Sequence, residues 1–134
     1  MKDKSILVDM STTIIHHGHI RLLKKASKYG KVIVALTSDT QVKKYKGYYP
    51  ELNFLQRKEI LQSIKYVSSV IKSNWLIEQK LLTKYKIDYL IHGGKCQNPI
   101  MQKKKIILNR TKGISSTIMR NKVYKNYLTL NKKK

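Results

Sequence analysis

The chain has 134 residues, 29 of them Lys or Arg against 7 Asp or Glu, for a formal charge of +22. That length suits one domain with a real core, and the single Cys96 excludes an internal disulfide and points to a reducing compartment. The charge would favour polyanions, but the basic residues are nearly all lysines; arginine stands only at positions 21, 57, 110 and 120. A base-reading surface usually employs arginine forks, so nucleic acid binding is expected to be only weak and non-specific.

Ser5 to Val8 reads as a first strand, followed by His16-His17-Gly18-His19 and a helix from His17 to Lys28 with Gly30 as its cap. Lys31 to Leu36 is a nearly continuous apolar strand. Thr37-Ser38-Asp39 starts a short helix that runs into a basic and aromatic loop, Lys43 to Pro50. Asn53 caps a helix from Phe54 to Ile64 with Leu55, Ile60, Leu61 and Ile64 as core candidates. Tyr66 to Ile71 is a third strand, Trp75 to Tyr85 a helix, and Ile87 to Ile91 a fourth strand ending in His92-Gly93-Gly94. Lys95 to Lys105 reads as an irregular loop and Ile106 to Leu108 as a fifth strand. Ser115 caps a last helix carrying Ile118, Met119, Val123, Tyr127 and Leu128.

Alternating strands and helices argue for an α/β domain: a five-stranded parallel sheet with helices on both faces, spanning residues 1–130, with a basic tail over 131–134. Met1 to Lys4 leads into a run too short for a signal peptide, and no window has the length of a membrane span, so a cytoplasmic protein with no membrane insertion is expected.

Ligands of parallel sheets bind at the carboxyl ends of the strands, and four marked segments fall there: 10–19, 37–46, 92–95 and 110–117. His16 and His19, three apart, would share a face and donate to one phosphate, with Gly18 allowing close backbone approach. Arg110-Thr111-Lys112-Gly113-Ile114-Ser115-Ser116-Thr117 places hydroxyls and free amides at a helix N-terminus, a second anion site. Lys44 and Lys46 offer ammonium groups to a triphosphate. Ser11, Thr12 and His92 stand at strand ends and complete the candidate nucleotide-binding set. No cysteine pair or acidic cluster supports a metal site.

From about Ile6 to Arg120 the chain resembles the cytidylyltransferases of the nucleotidyltransferase superfamily, most closely the small glycerol-3-phosphate type. His16-His17-Gly18-His19 matches His-x-Gly-His, residues 110–117 match Arg-Thr-x-Gly-Ile-Ser-[Ser/Thr]-Thr, and Gln56-Arg57-Lys58 with Ile64 to Val67 looks like the middle segment. The resemblance implies a Rossmann-like fold, Mg²⁺, a homodimer, and transfer of CMP from CTP to a small phosphorylated alcohol or phosphonate with release of pyrophosphate. It implies that His16 and His19 hold phosphates in the transition state, that Lys44 and Lys46 approach the triphosphate, and that Arg110, Ser115, Ser116 and Thr117 bind phosphate. Two positions depart from the pattern: Thr13 replaces an aspartate, and Gly93-Gly94-Lys95 replaces Gly-Asp-Asp. The alternatives are an adenylyltransferase using ATP on the same fold, and a catalytically impaired nucleotide- or RNA-binding relative.

Overall fold

A computed structural model describes residues 4–94 and 96–132. The elements run β1 (Ser5–Met10), α1 (His17–Ser27), β2 (Lys31–Thr37), α2 (Asp39–Lys46), α3 (Phe54–Gln62), β3 (Ser69–Ser73), α4 (Gln79–Lys84), β4 (Tyr89–Gly93), a 3-10 turn (Gln102–Lys104), β5 (Lys105–Leu108) and α5 (Ser116–Lys132). The five strands form one sheet in the order β3-β2-β1-β4-β5, with every pair parallel.

Alternation along β1 sorts the core into two layers, because neighbouring side chains leave opposite faces of a strand. Ile6, Val8 and Met10 pack with Leu23 and Ala26 of α1 and with Phe54 and Leu61 of α3. Leu7 packs on the other face with Ala35, Leu90, Ile77, Ile100 and Leu82 of α4. Helices thus cover both faces. The chain order reverses between β1 and β4, so a crevice opens at their carboxyl ends.

Several boundaries differ from the sequence expectation, as side chains, backbone turns and glycines outside the local pattern intervene. The helix expected from Trp75 begins only at Gln79, since the Trp75 N–H donates to Gln41 Oε1 and the Ile77 N–H to Asn98 Oδ1. The third strand starts at Ser69, since the Val67 N–H is spent on the Ile64 carbonyl. Lys43 to Lys46 form the last turn of α2, closed by Gly47 at φ 84°, so the expected loop begins later. The α1 helix caps at Lys28 rather than Gly30; a Cβ on Gly30 would stand 2.2 Å from the Lys4 carbonyl oxygen. The α5 helix continues through Lys132, into the expected tail; Lys133 and Lys134 lie outside the described residues.

The core of α3 also departs from simple periodicity. Its inner face is Phe54, Arg57 and Leu61, while Leu55 is 72% exposed. Buried Arg57 is fully engaged: Nε donates to the Leu52 carbonyl (3.1 Å), one terminal nitrogen to the Ser11 carbonyl (2.7 Å), the other to Asp39 Oδ1 (2.6 Å). One guanidinium therefore ties the segment after β1 to the starts of α2 and α3. On α5 the expected core residues Val123, Tyr127 and Leu128 are exposed, as is Ile118. This helix is held instead by Arg120, which pairs with Glu51, donates to the Tyr48 hydroxyl at 3.2 Å and lies over its ring.

Candidate active site

A cavity of about 420 Å³ opens at the carboxyl ends of β1, β2, β4 and β5. Twelve of the fifteen candidate residues line it: His16, His19, Lys46, Ser11, Gly18, His92, Arg110, Thr111, Ile114, Ser115, Ser116 and Thr117. The first and last motifs, about a hundred residues apart in sequence, thus share one hollow. They also touch: Ser116 Oγ donates to the Ile14 carbonyl at 2.9 Å, and the Ile14 N–H reaches Ser116 Oγ at 3.4 Å.

Three candidates stand elsewhere. Lys44 is exposed on α2, two residues from Lys46; side chains at i and i+2 leave different faces of a helix, so only Lys46 reaches the cavity. Thr12, buried at φ 40°, turns into a second, largely apolar cavity of about 340 Å³ with Thr13, Ile60 and Val123. Gly113 is exposed and makes the turn into α5 at φ 79°. Thr13, where the resembled family carries an acid, also lines the second cavity.

The two motif histidines are locked by the backbone. His16 is the N-cap of α1: its Nδ1 accepts the Gly18 N–H (3.1 Å), while the His16 N–H donates to His19 Nδ1 (3.1 Å). The rings stack with centroids 3.9 Å apart. Gly18 is required because a Cβ would meet the His16 ring at 2.8 Å and Ile114 at 3.2 Å. The space that this glycine keeps open is occupied by the chain's own imidazole.

Protonation follows from that geometry. Burial first, then the charges of His16, Lys46 and Arg110, push His19 down to about 3. Burial first, then His17, lowers His16 as well. Both rings are therefore neutral near pH 7, and with Nδ1 accepting, the proton sits on Nε2. Each ring offers one preset donor. Around them stand cationic Arg21, Lys25, Lys46 and Arg110 and the N-terminus of α5, whose Ser115 Oγ accepts the Ile118 N–H at 3.0 Å.

Arg110 is aimed by glycines. Its Nε donates to the Gly93 carbonyl at 2.8 Å, and a Cβ on Gly94 would stand 2.9 Å from that nitrogen. Gly94 has φ 86°, so both backbone conformation and space favour glycine where the resembled family carries an acid.

Sequence reasoning missed Asn98 and Trp75, and met Arg57 only as part of the middle segment, without its structural role. Asn98 is buried in the expected irregular loop and links Asp9 to the Ile77 N–H. Trp75 lines the cavity and stacks on Tyr45 with centroids 5.3 Å apart. Polar residues in loops have no periodicity to mark them, and a buried arginine reads as solvated until its partners are known.

As to metals, no three His, Cys, Asp or Glu residues converge among the described residues. Asp9 is the one carboxylate lining the cavity among them, and both its oxygens are engaged, by His92 and Asn98. A protein-built Mg²⁺ cage does not fit this donor set.

A parallel sheet reversing at β1 and β4, with imidazole donors, cations and a helix N-terminus around one cavity, is the arrangement expected of a nucleotidyltransferase. The chain belongs to the cytidylyltransferase-like family, which it matches over residues 13–122. It is 33% identical to glycerol-3-phosphate cytidylyltransferase of Staphylococcus aureus, over 90% of this chain and 96% of that protein. The enzyme of the same name from Bacillus subtilis is 30% identical, over 90% and 97% of the two chains. In fold it resembles a lipopolysaccharide core biosynthesis protein from Thermoplasma volcanium, at TM-score 0.69 and 18% identity, over 83% of this chain and 100% of that one. Among the described residues no helix is long and apolar enough to cross a membrane.

Proposed function

We propose that this enzyme transfers CMP from CTP to a small phosphorylated alcohol. An oxygen of the acceptor's phosphate attacks the α-phosphorus of CTP in line. A new P–O–P bond forms, the α–β bridge breaks, and pyrophosphate leaves with the bond's electrons. The observation that carries this reading is the shared cavity: His16 and His19 face the same hollow as Ser115 to Thr117 and Arg110.

The Nε2–H groups of His16 and His19 donate to the non-bridging oxygens of the α-phosphate, where charge builds. The donors are neutral, fixed and partly removed from water, so little reorganisation is needed at the moment of reaction. Lys46, the terminal nitrogens of Arg110 and the free amides of α5 hold the departing phosphates. No covalent enzyme intermediate is needed, because positioning and charge stabilisation suffice for this chemistry. Mg²⁺ would arrive coordinated by the nucleotide's own phosphate oxygens. The homodimer is part of the proposal, and sedimentation tests it.

The relatives' names support CTP and an acceptor of the glycerol phosphate kind. Pyrophosphate release is measured with CTP and with ATP, across phosphorylated alditols, phosphocholine-like compounds and phosphonates. Release with CTP and at least one such acceptor is expected. Release with ATP alone would make the protein an adenylyltransferase, and release with neither would make it a binding protein. His16→Ala is expected to lower kcat by at least ~100-fold; an unchanged kcat would remove this residue from the chemistry.

A further inference from the structure

A third histidine in the cavity has the opposite polarity from the first two. His92, on β4, lies with its Nδ1 2.7 Å from Asp9 Oδ1 on β1. The other oxygen of Asp9 accepts from Asn98 Nδ2 at 3.0 Å, and Asn98 Oδ1 accepts the Ile77 N–H at 2.8 Å. The backbone amide fixes which way the Asn98 side chain faces, so its NH₂ points to Asp9. The carboxylate can only accept, so the shared proton belongs to His92 Nδ1. When the ring carries one proton, Nε2 is a bare lone pair. His16 and His19 present N–H donors at the same atom; His92 presents an acceptor.

Asp9 is otherwise out of place. Arg21, Lys25, Lys46 and Arg110 line this cavity, and a carboxylate among them weakens the field that attracts a triphosphate. Each of its oxygens already accepts a hydrogen bond from a side chain of the protein, His92 on one and Asn98 on the other. What it does is hold the His92 ring. The Nε2 lone pair repels phosphate oxygens and welcomes a hydrogen-bond donor. Trp75 and Leu76 line the same cavity and give it an apolar wall.

We infer that Asp9, Asn98 and His92 form a positioning chain that selects acceptors carrying a hydrogen-bond donor, a hydroxyl or a primary ammonium, near the phosphate. This rests on the cytidylyl-transfer reading above. On this inference His92, read from the sequence as a nucleotide-binding residue, meets the acceptor instead, and Asp9 and Asn98 act through it. Acceptors with no such donor leave the Nε2 lone pair without a partner and bind worse.

The test compares four acceptors at saturating CTP: glycerol 3-phosphate, phosphoethanolamine, propyl phosphate and phosphocholine. At least one of the first two is expected to exceed both of the last two in kcat/KM by at least ~10-fold; which one it is separates hydroxyl from ammonium recognition. In Asp9→Asn, the new amide oxygen faces Asn98 and its NH₂ faces His92, which moves the ring proton to Nε2. The acceptor KM is then expected to rise ~10-fold with the CTP KM unchanged, and the preference to vanish. His92→Leu is expected to do the same and serves if Asp9→Asn does not fold. Long-range ¹H–¹⁵N spectra of the histidine-labelled wild type at pH 7.5 are expected to show the proton on Nδ1 of His92 and on Nε2 of His16 and His19. Equal kcat/KM for all four acceptors, a preference that survives in the variants, equal rises in both KM values, or a His92 protonated at Nε2 would each overturn the inference while leaving cytidylyl transfer standing. Absence of pyrophosphate release with every acceptor would overturn the parent reading and the inference with it.

Discussion

Replacing Arg57 by Met is the sharpest test of how the scaffold holds the site. The arginine is 2% exposed and donates to two carbonyls and to Asp39. Methionine keeps much of the stem's packing but removes all three donors and the buried positive charge. Breaking one side of a buried pair costs about 3–5 kcal/mol. Asp39 retains some solvent access and still accepts the Phe54 N–H, which places the loss at the low end, about 3 kcal/mol. At about 4 °C per kcal/mol for a domain of this size, Tm should fall by about 12 °C. Urea denaturation gives the free energy, and a double-mutant cycle with Asp39→Asn isolates the pair. The Ser11 carbonyl loses its anchor in the same variant, so the CTP KM should rise as well. A loss under ~1 kcal/mol, with no coupling to Asp39, would show that this guanidinium does not hold the three segments together.

Three further outcomes follow from the site. His19 binds a proton near 6.5 when unfolded but only near 3 when folded, so stability should fall as pH drops below 6.5, by about 2 kcal/mol at pH 5. Urea midpoints across this range should show that slope, and His19→Gln should flatten it; an identical slope in the variant would remove His19 as its source. Gly94→Asp, which installs the acid that the resembled family carries, should displace Arg110 and raise the CTP KM by ~10-fold, because its Cβ meets Arg110 Nε at 2.9 Å; an unchanged KM would mean that Arg110 does not hold nucleotide from this position. The CTP KM should also rise several-fold between 50 and 300 mM salt with little change in kcat, since the cavity's cations act on the incoming triphosphate through screened charge; a flat KM would argue for contacts that exclude the ions.

The layered fold was legible because its signals are local and periodic. Apolar runs such as residues 32–36 read as buried strands, and the caps at Asn53 and Ser115 announce helix starts within one turn. The larger departures came where a distant side chain overrides local preference. Gln41 and Asn98 claim the amides of Trp75 and Ile77, and Arg57 takes a core position on α3 that periodicity assigns to an apolar residue.

The amino-acid order alone determined the alternation of strands and helices, the two candidate phosphate-binding motifs and their placement at strand ends, because each depends on neighbours within a few residues. Only the tertiary structure decided that Lys46 enters the cavity while Lys44 does not, that Thr12 and Thr13 face a different hollow, and that His92 is held by Asp9. Those outcomes depend on which face of an element meets the sheet, and on hydrogen bonds between residues 83 or more positions apart. A proton's position on an imidazole is set by whatever touches its other nitrogen. That partner is a backbone amide for His16 and His19 and a carboxylate for His92, and it is known only once the chain has folded.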